Sequence, residues 1–144
     1  GLTRTALLDL ARAQRGPDDA PHMSVGSADE LVWLLSALAR GEVVDTLTSE
    51  RVLGWMSLST DLSLVSSAFG LDPLAHRQAD HGMTLVNLTA SSTGVRVEVG
   101  ALRGNASSVA FAVIVRFDDA EMADRQQVIN AMRTVGYDIL DHVS

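Results

Sequence analysis

At 144 residues, 47% of them hydrophobic, the chain is long enough for one ordinary domain with a real core, and it is not a disordered chain. Its formal net charge of −7, with no block of Lys or Arg, argues against nucleic acid as a partner, because phosphate binding works through clustered cations. Cysteine and lysine are both absent, which removes disulfides, thiolate chemistry, Schiff bases, lysine bases and Ser–Lys pairs, since arginine stays protonated and does not act as a neutral amine.

The first expected element is a short helix over residues 5–15, where Leu7, Leu8, Leu10 and Ala11 form an apolar patch that Gly16-Pro17 stops. Residues 17–26 read as a loop. Ser27 opens the clearest helix. The Ser27-x-x-Glu30 spacing predicts a capping box, Leu31, Leu34, Leu35 and Leu38 give one apolar stripe, and Gly41 fits the exit. A second helix starts near Thr48-Ser49-Glu50 and carries Val52, Leu53, Trp55 and Met56. A third, short one covers 61–69. Trp33, Trp55 and Phe69 read as core residues on these helices.

After Gly70 the pattern changes to strands. Residues 83–90 form the first, and 95–102 alternate, with Val95, Val97 and Val99 on one face and Arg96 and Glu98 outward on the other. Arg103-Gly104-Asn105 is a turn. Residues 107–117 are almost continuously apolar, which predicts a mid-sheet strand buried on both faces. Asp118-Asp119 then begin a long final helix whose buried stripe is Val128, Met132, Val135 and Ile139. The fold class is α+β. Residues 1–70 are mainly helical, and 83–144 make a three-stranded antiparallel meander (83–90, 95–102, 107–117) with the C-terminal helix packed on it. No apolar run reaches the roughly 20 residues a membrane helix needs.

This order poses a sheet problem. Strand 107–117 has one sequence-adjacent partner, 95–102, and residues 1–26 show no strand to take its other side. An exposed apolar edge is unfavourable, so a partner is expected: a missing N-terminal half, a second chain or a second copy.

The run 24–56, "SVGSADELVWLLSALARGEVVDTLTSERVLGWM", resembles the paired helices of class A β-lactamases and penicillin-binding-type transpeptidases, with Gly41-Glu42 followed by Ser49, Leu53, Trp55 and Met56. "GLTRT" (1–5), "GVRVEVGAL" (94–102), "VAFAVIV" (109–115) and the closing helix are similar to the second half of that family. The resemblance implies a β-lactamase-like, incomplete fold and an exported protein of the bacterial periplasm or cell envelope. The family's Ser-x-x-Lys and Ser-Asp-Asn motifs do not occur here. In register, its Lys-Thr-Gly falls on Leu88-Thr89-Ala90. Thr89 retains a hydroxyl, Leu88 lacks the charge, and Ala90 narrows the room beside a ligand. The loop expected to carry the family's glutamate, near 8–22, has only Asp9, Asp18 and Asp19.

Other candidates are weaker. Asp72, His76 and Asp80, with His81 adjacent, would line up as a metal face on a helix, against the plainer reading of a solvated surface, and no metal or cofactor is assigned. Ser91, Ser92 and Thr93 read as turn residues rather than nucleophiles, for want of a fixed base. Asn87-Leu-Thr and Asn105-Ala-Ser match glycosylation sequons by chance. Arg96 and Glu98 read as a surface ion pair or as the rim of a ligand groove.

The sequence therefore predicts a catalytically degenerate β-lactamase-like domain serving as a binding or structural module of a cell-envelope protein. Two alternatives stand beside it: the C-terminal portion of an active serine hydrolase whose nucleophile lies in a missing N-terminal half, and an unrelated α+β domain that self-associates.

Overall fold

The computed structural model describes residues 2–7, 24–77, 82–118 and 122–143. In chain order the elements are β1 (Ala6–Leu7), β2 (Ser24–Val25), α1 (Ala28–Ala39), α2 (Thr46–Met56), a 3₁₀ helix (Val65–Ala68), β3 (Thr84–Ser92), β4 (Val95–Arg103), β5 (Ser108–Arg116) and α3 (Met122–Val143). Strands β3, β4 and β5 form one antiparallel sheet in that order, so the predicted meander and the α+β class hold.

The sheet is covered on both faces. On one, Leu85, Leu102 and Phe111 pack against Leu64, Val65, Ala68 and Phe69 and against Val128, Met132, Ile139 and Val143 of α3. The rings of Phe69 and Phe111 meet edge-on at 6.0 Å. On the other face, Val86, Val99 and Ala110 pack against Leu35, Leu38 and Met56 of α1 and α2. Each fully buried side chain of this size contributes about 1.5–3 kcal/mol, and Val65, Leu102, Met132 and Val143 have no exposed surface.

The helix ends show which local signals are used. At the exit of α1, Gly41 sits at φ 71° while its N–H reaches the Leu38 carbonyl and the Glu42 N–H reaches that of Ala37 at 2.9 Å, an arrangement that needs the left-handed residue glycine supplies. Helix α2 starts earlier than predicted, because the Asp45 carboxylate accepts from the Thr48 N–H at 2.6 Å. The capping box at Ser27 does not form. The Ser27 hydroxyl turns to Asp29, and Glu30 accepts from the Thr3 N–H at 2.6 Å and the Arg4 N–H at 2.9 Å. Desolvation opposes ionisation of Glu30, but its donors on Thr3, Thr5 and Arg4 outweigh it and hold the carboxyl down to about 2.

Several further expectations are corrected. Residues 6–7 are not helical: they pair with 24–25 as a two-residue ladder, so residues 1–26 do contain strand; the remainder of the expected helix, 8–15, lies outside the described residues. The third helix shrinks to one 3₁₀ turn. Trp33 and Trp55 are 54% and 63% exposed rather than in the core, while Phe69 is buried as expected. On α3 the buried position is Gly136, not Val135, because the helix approaches residues 65–68 too closely there for a side chain. Within this chain, among the described residues, strand β5 pairs with β4 alone and lies at the sheet's edge, as the meander order requires.

Candidate functional site

Leu88, Thr89 and Ala90 lie in the half of β3 nearer the β3–β4 hairpin, paired with Val99, Glu98 and Val97. Alternation splits them between the faces. Leu88 and Ala90 share the face of Val86, which α1 and α2 cover further along; beyond that cover Leu88 is 48% exposed. Thr89 lies on the other face with Leu85 and Asn87.

On that second face the sequence reading of Glu98 fails. The side chain is fully buried, so it is not the rim of a groove. Strand β4 is the middle strand of a sheet covered on both sides, so neither of its faces is free for charge. The Glu98 carboxylate accepts from the Asn87 side-chain amide at 2.8 Å and from the Ser66 N–H at 3.2 Å. Asn87 also donates to the Asp61 carbonyl at 2.9 Å, and the Thr89 hydroxyl donates to the Asp61 carboxylate at 2.6 Å. These bonds fasten the segment from Asp61 to Ser66 onto β3 and β4. Desolvation pushes the Asp61 carboxyl up, but the hydrogen bonds from Ser63 and Thr89 prevail and it lies below its ordinary value.

The network leaves two oxygens without a partner, the Ser66 hydroxyl and the Asn87 amide oxygen, both buried. Asp61, Ser66 and Asn87 were not predicted as a group. The available signal was Asn87 itself, an amide inside an apolar strand, which has to find partners when buried. Its burial also leaves that sequon inaccessible in the folded chain.

Arg96 is half-exposed at the hairpin end of the same face. It donates to the carbonyls of Ser92 and Val95, each at 2.8 Å, and its guanidinium stands 5.3 Å from the Phe117 ring centre. It makes no ion pair with Glu98. Ser91, Ser92 and Thr93 are exposed at the hairpin. Residues 73–77 are turn rather than helix, so Asp72 and His76 do not form the expected row, and Asp80 and His81 lie outside the described residues. His76 is buried with its Nδ1 2.8 Å from the Pro73 carbonyl, and the exposed His142 has its Nδ1 2.7 Å from that of Asp138. Among the described residues no group of three metal-ligating side chains occurs. A cavity of about 480 Å³ at the far end of the sheet, lined by Met83, Thr84, Arg103 and Asn105, involves none of the predicted site residues.

Chemically, the arrangement offers a hydroxyl already committed to a carboxylate, an apolar side chain where a cation was sought, and no hydroxyl–imidazole pair among the described residues. A model of the β-lactamase enzyme family matches residues 1–143. Comparison with curated proteins finds no match. Among solved structures the chain is similar to a β-lactamase from Sphaerobacter thermophilus, with a TM-score of 0.61 and 18% identity over 88% of this chain and 45% of that one. It is similar to the chromosome-encoded β-lactamase of Vibrio parahaemolyticus (TM-score 0.61, 17% identity, 94% of this chain and 48% of that one) and to PBP-A (0.62, 16%, 83% and 41%). The chain thus spans less than half the length of each, and at these identities the likeness is one of fold.

Proposed function

We propose that this chain, which belongs to the β-lactamase enzyme family, is a catalytically degenerate member acting as a binding or structural module of an exported bacterial cell-envelope protein. One observation carries the reading. The strand position that would hold the family's Lys-Thr-Gly has Leu88-Thr89-Ala90, with the Thr89 hydroxyl donated to Asp61. A substrate carboxylate at that place would meet no cation, a hydroxyl already in use and a neighbouring carboxylate. The absence of lysine extends the argument to the whole of this chain, which has no amine to manage a serine's proton.

Nitrocefin turnover, read together with covalent labelling by a fluorescent penicillin, tests this. Neither is expected from the chain alone, and robust turnover would overturn the reading. A second reading is favoured by the coverage of under half of each similar structure: the chain would be the C-terminal portion of an active serine hydrolase, of β-lactamase or D-Ala-D-Ala peptidase type, whose nucleophile lies in the other half. Intact mass of material purified from its source decides between them; a mass near 15.3 kDa without a companion chain counts against the second reading. The family match sets aside an unrelated α+β domain.

A further inference from the structure

We propose that the cavity at the far end of the sheet binds a carboxylate carried next to a short apolar group, and that Arg103 holds it together with Thr84 and Asn105. The proposal goes beyond the functional reading above and shares no residue with it. Thr84 and Thr89 stand about 17 Å apart along β3, at ~3.3 Å per residue.

The cavity measures about 480 Å³ and is lined by Gly82, Met83, Thr84, Arg103, Gly104 and Asn105. That size falls within the range of small-molecule sites. Its polar side chains are rich in donors: a forked guanidinium, an amide NH2 and a hydroxyl. No carboxylate is among the lining residues. Arg4 and Arg40 are paired with Asp29 and Glu42, and Arg96 is held by two carbonyls. Among the described residues, the side chains of Arg103, Thr84 and Asn105 have no ion pair and no hydrogen bond.

The three groups meet at one place. Arg103 and Thr84 stand directly opposite each other in the β3–β4 ladder, so their side chains leave the same face of the sheet, with Cβ atoms about 5 Å apart. Asn105 comes from the turn beyond β4, and its amide nitrogen lies 3.1 Å from where a Cβ on Gly82 would stand. The turn is clamped to the end of α3. The Gly104 N–H donates to the Ser107 carbonyl at 2.9 Å, the Ser107 hydroxyl to the His142 carbonyl at 2.6 Å, and the Ala106 N–H to the Val143 carbonyl at 3.5 Å. These donors also engage the last carbonyls of the helix, the end of its dipole that repels an anion. A Cβ on Gly104 would overlap the Val143 carbonyl oxygen, and Gly82 sits at φ 73°. With no side chain at two of its six lining positions, the cavity stays open.

The chemistry selects the ligand. A guanidinium meets a carboxylate through two parallel N–H···O bonds, a match that a spherical halide does not offer. A phosphate can use the same fork, but the chain's net charge of −7 opposes a dianion more strongly than a monoanion. Met83, half-buried against the core, supplies an apolar wall for a short hydrocarbon group beside the carboxylate. Arg103 and Asn105 remain exposed, so solvent screens the contact and a dissociation constant of about 1–10 mM is expected.

The test is a titration of the full chain with isobutyrate at neutral pH and constant ionic strength, followed by proton–nitrogen correlation NMR. The Arg103 Nε–H, the Asn105 side-chain amide and the Gly104 amide are expected to move along one saturating curve. Isobutyramide, which keeps the shape and lacks the charge, should bind at least about 10-fold more weakly to the same unaltered chain. Arg103→Gln should weaken isobutyrate by a similar factor, whereas Arg116→Gln, at the hairpin end of the sheet, should leave it unchanged. N-acetylalanine separates the two sources of the carboxylate: binding tighter than isobutyrate points to a peptide C terminus and weaker binding to a free acid, and either supports the site. Shifts that do not saturate, equal affinity for the amide, or unchanged affinity in Arg103→Gln would overturn the proposal. Phosphate binding tighter than isobutyrate would overturn it in favour of a general oxyanion site. None of these readouts depends on nitrocefin, so this proposal and the functional one fail separately.

Discussion

The same substitution at two helical glycines is expected to change stability in opposite directions. Gly136 of α3 faces the 3₁₀ helix, and a Cβ built there overlaps the Val65 carbonyl oxygen and comes within 2.7 Å of the Ala68 methyl. Gly54 of α2 has nothing within 4 Å. In an open helical site Gly→Ala stabilises by about 1 kcal/mol, through backbone entropy. Gly54→Ala should gain close to that. At Gly136 the same gain is set against overpacking, which costs about 1–3 kcal/mol. The obstructing carbonyl is backbone and has no rotamer to escape into, so the upper part of that range applies. The net expectation is a loss of about 1–2 kcal/mol for Gly136→Ala. Urea unfolding followed by far-UV circular dichroism measures it. With a slope of about 2 kcal/mol per molar, the Gly136→Ala midpoint should fall by about 0.5–1 M while that of Gly54→Ala rises by about 0.5 M. If the two variants shift upward together, the close docking of α3 on residues 65–68 is wrong.

Three other outcomes are expected. Glu98→Ala leaves buried donors on Asn87 and Ser66 without their acceptor and should cost about 2–4 kcal/mol, whereas Glu98→Gln, which keeps an acceptor oxygen for one of the two donors and turns an NH2 toward the other, should cost less; equal losses in urea unfolding would contradict the network. Glu30 is depressed from 4.5 to about 2, so its contribution is complete above about 4.5 and fades as pH falls toward 2. The exchange protection of the Thr3 and Arg4 amides should weaken through that window and Glu30→Gln should abolish the pH dependence; protection that is flat from pH 5 to 2 in the wild type argues against the contact. If Leu88 holds the place proposed for it, Leu88→Lys introduces a half-exposed cation there, worth about 0.5–1 kcal/mol after solvent screening, and should tighten penicillin binding two- to fivefold by isothermal titration without turnover; unchanged affinity would mean that Leu88 does not stand where the ligand carboxylate would.

Long elements with a strong period were readable from sequence. The leucine stripe of α1 and the alternation of residues 95–102 placed a helix and a strand correctly. Glu98 shows the limit of alternation: a charged residue between valines reads as solvent-facing, and only the helices on the far side of the sheet decide otherwise. Ser27 and Glu30 match a capping box by spacing, yet the competing donors belong to residues 3–5, more than 20 positions away. The ladder between residues 6–7 and 24–25 is two residues long and leaves no periodic trace. Trp33 and Trp55 were assigned to the core from residue type, but each lies on the far side of its helix from the leucines that the sheet buries. The resemblance assigns the Lys-Thr-Gly register to Leu88-Thr89-Ala90, but the partnership of Thr89 with Asp61 has no trace in the sequence, because no local pattern links residues 28 apart.

The buried pair Asn87 and Glu98 also bears on how the sheet avoids misthreading. When one face of a sheet is wet, a slip by a single residue is punished because apolar groups turn outward. Over the half of the sheet that the helices cover, both faces are dry and both carry valine, leucine and alanine, so apolar matching discriminates poorly there between alignments of β3 and β4. The polar pair restores discrimination. In the observed alignment Asn87 stands opposite Gly100, and Glu98 stands opposite Thr89. Glu98 is held from the far side by Ser66, and Asn87 by the Asp61 carbonyl. Sliding β3 either way carries the amide off Asp61 or strips the carboxylate of a donor in a place without water. Two buried polar residues thus act as the key that admits one threading of an otherwise interchangeable set of strands.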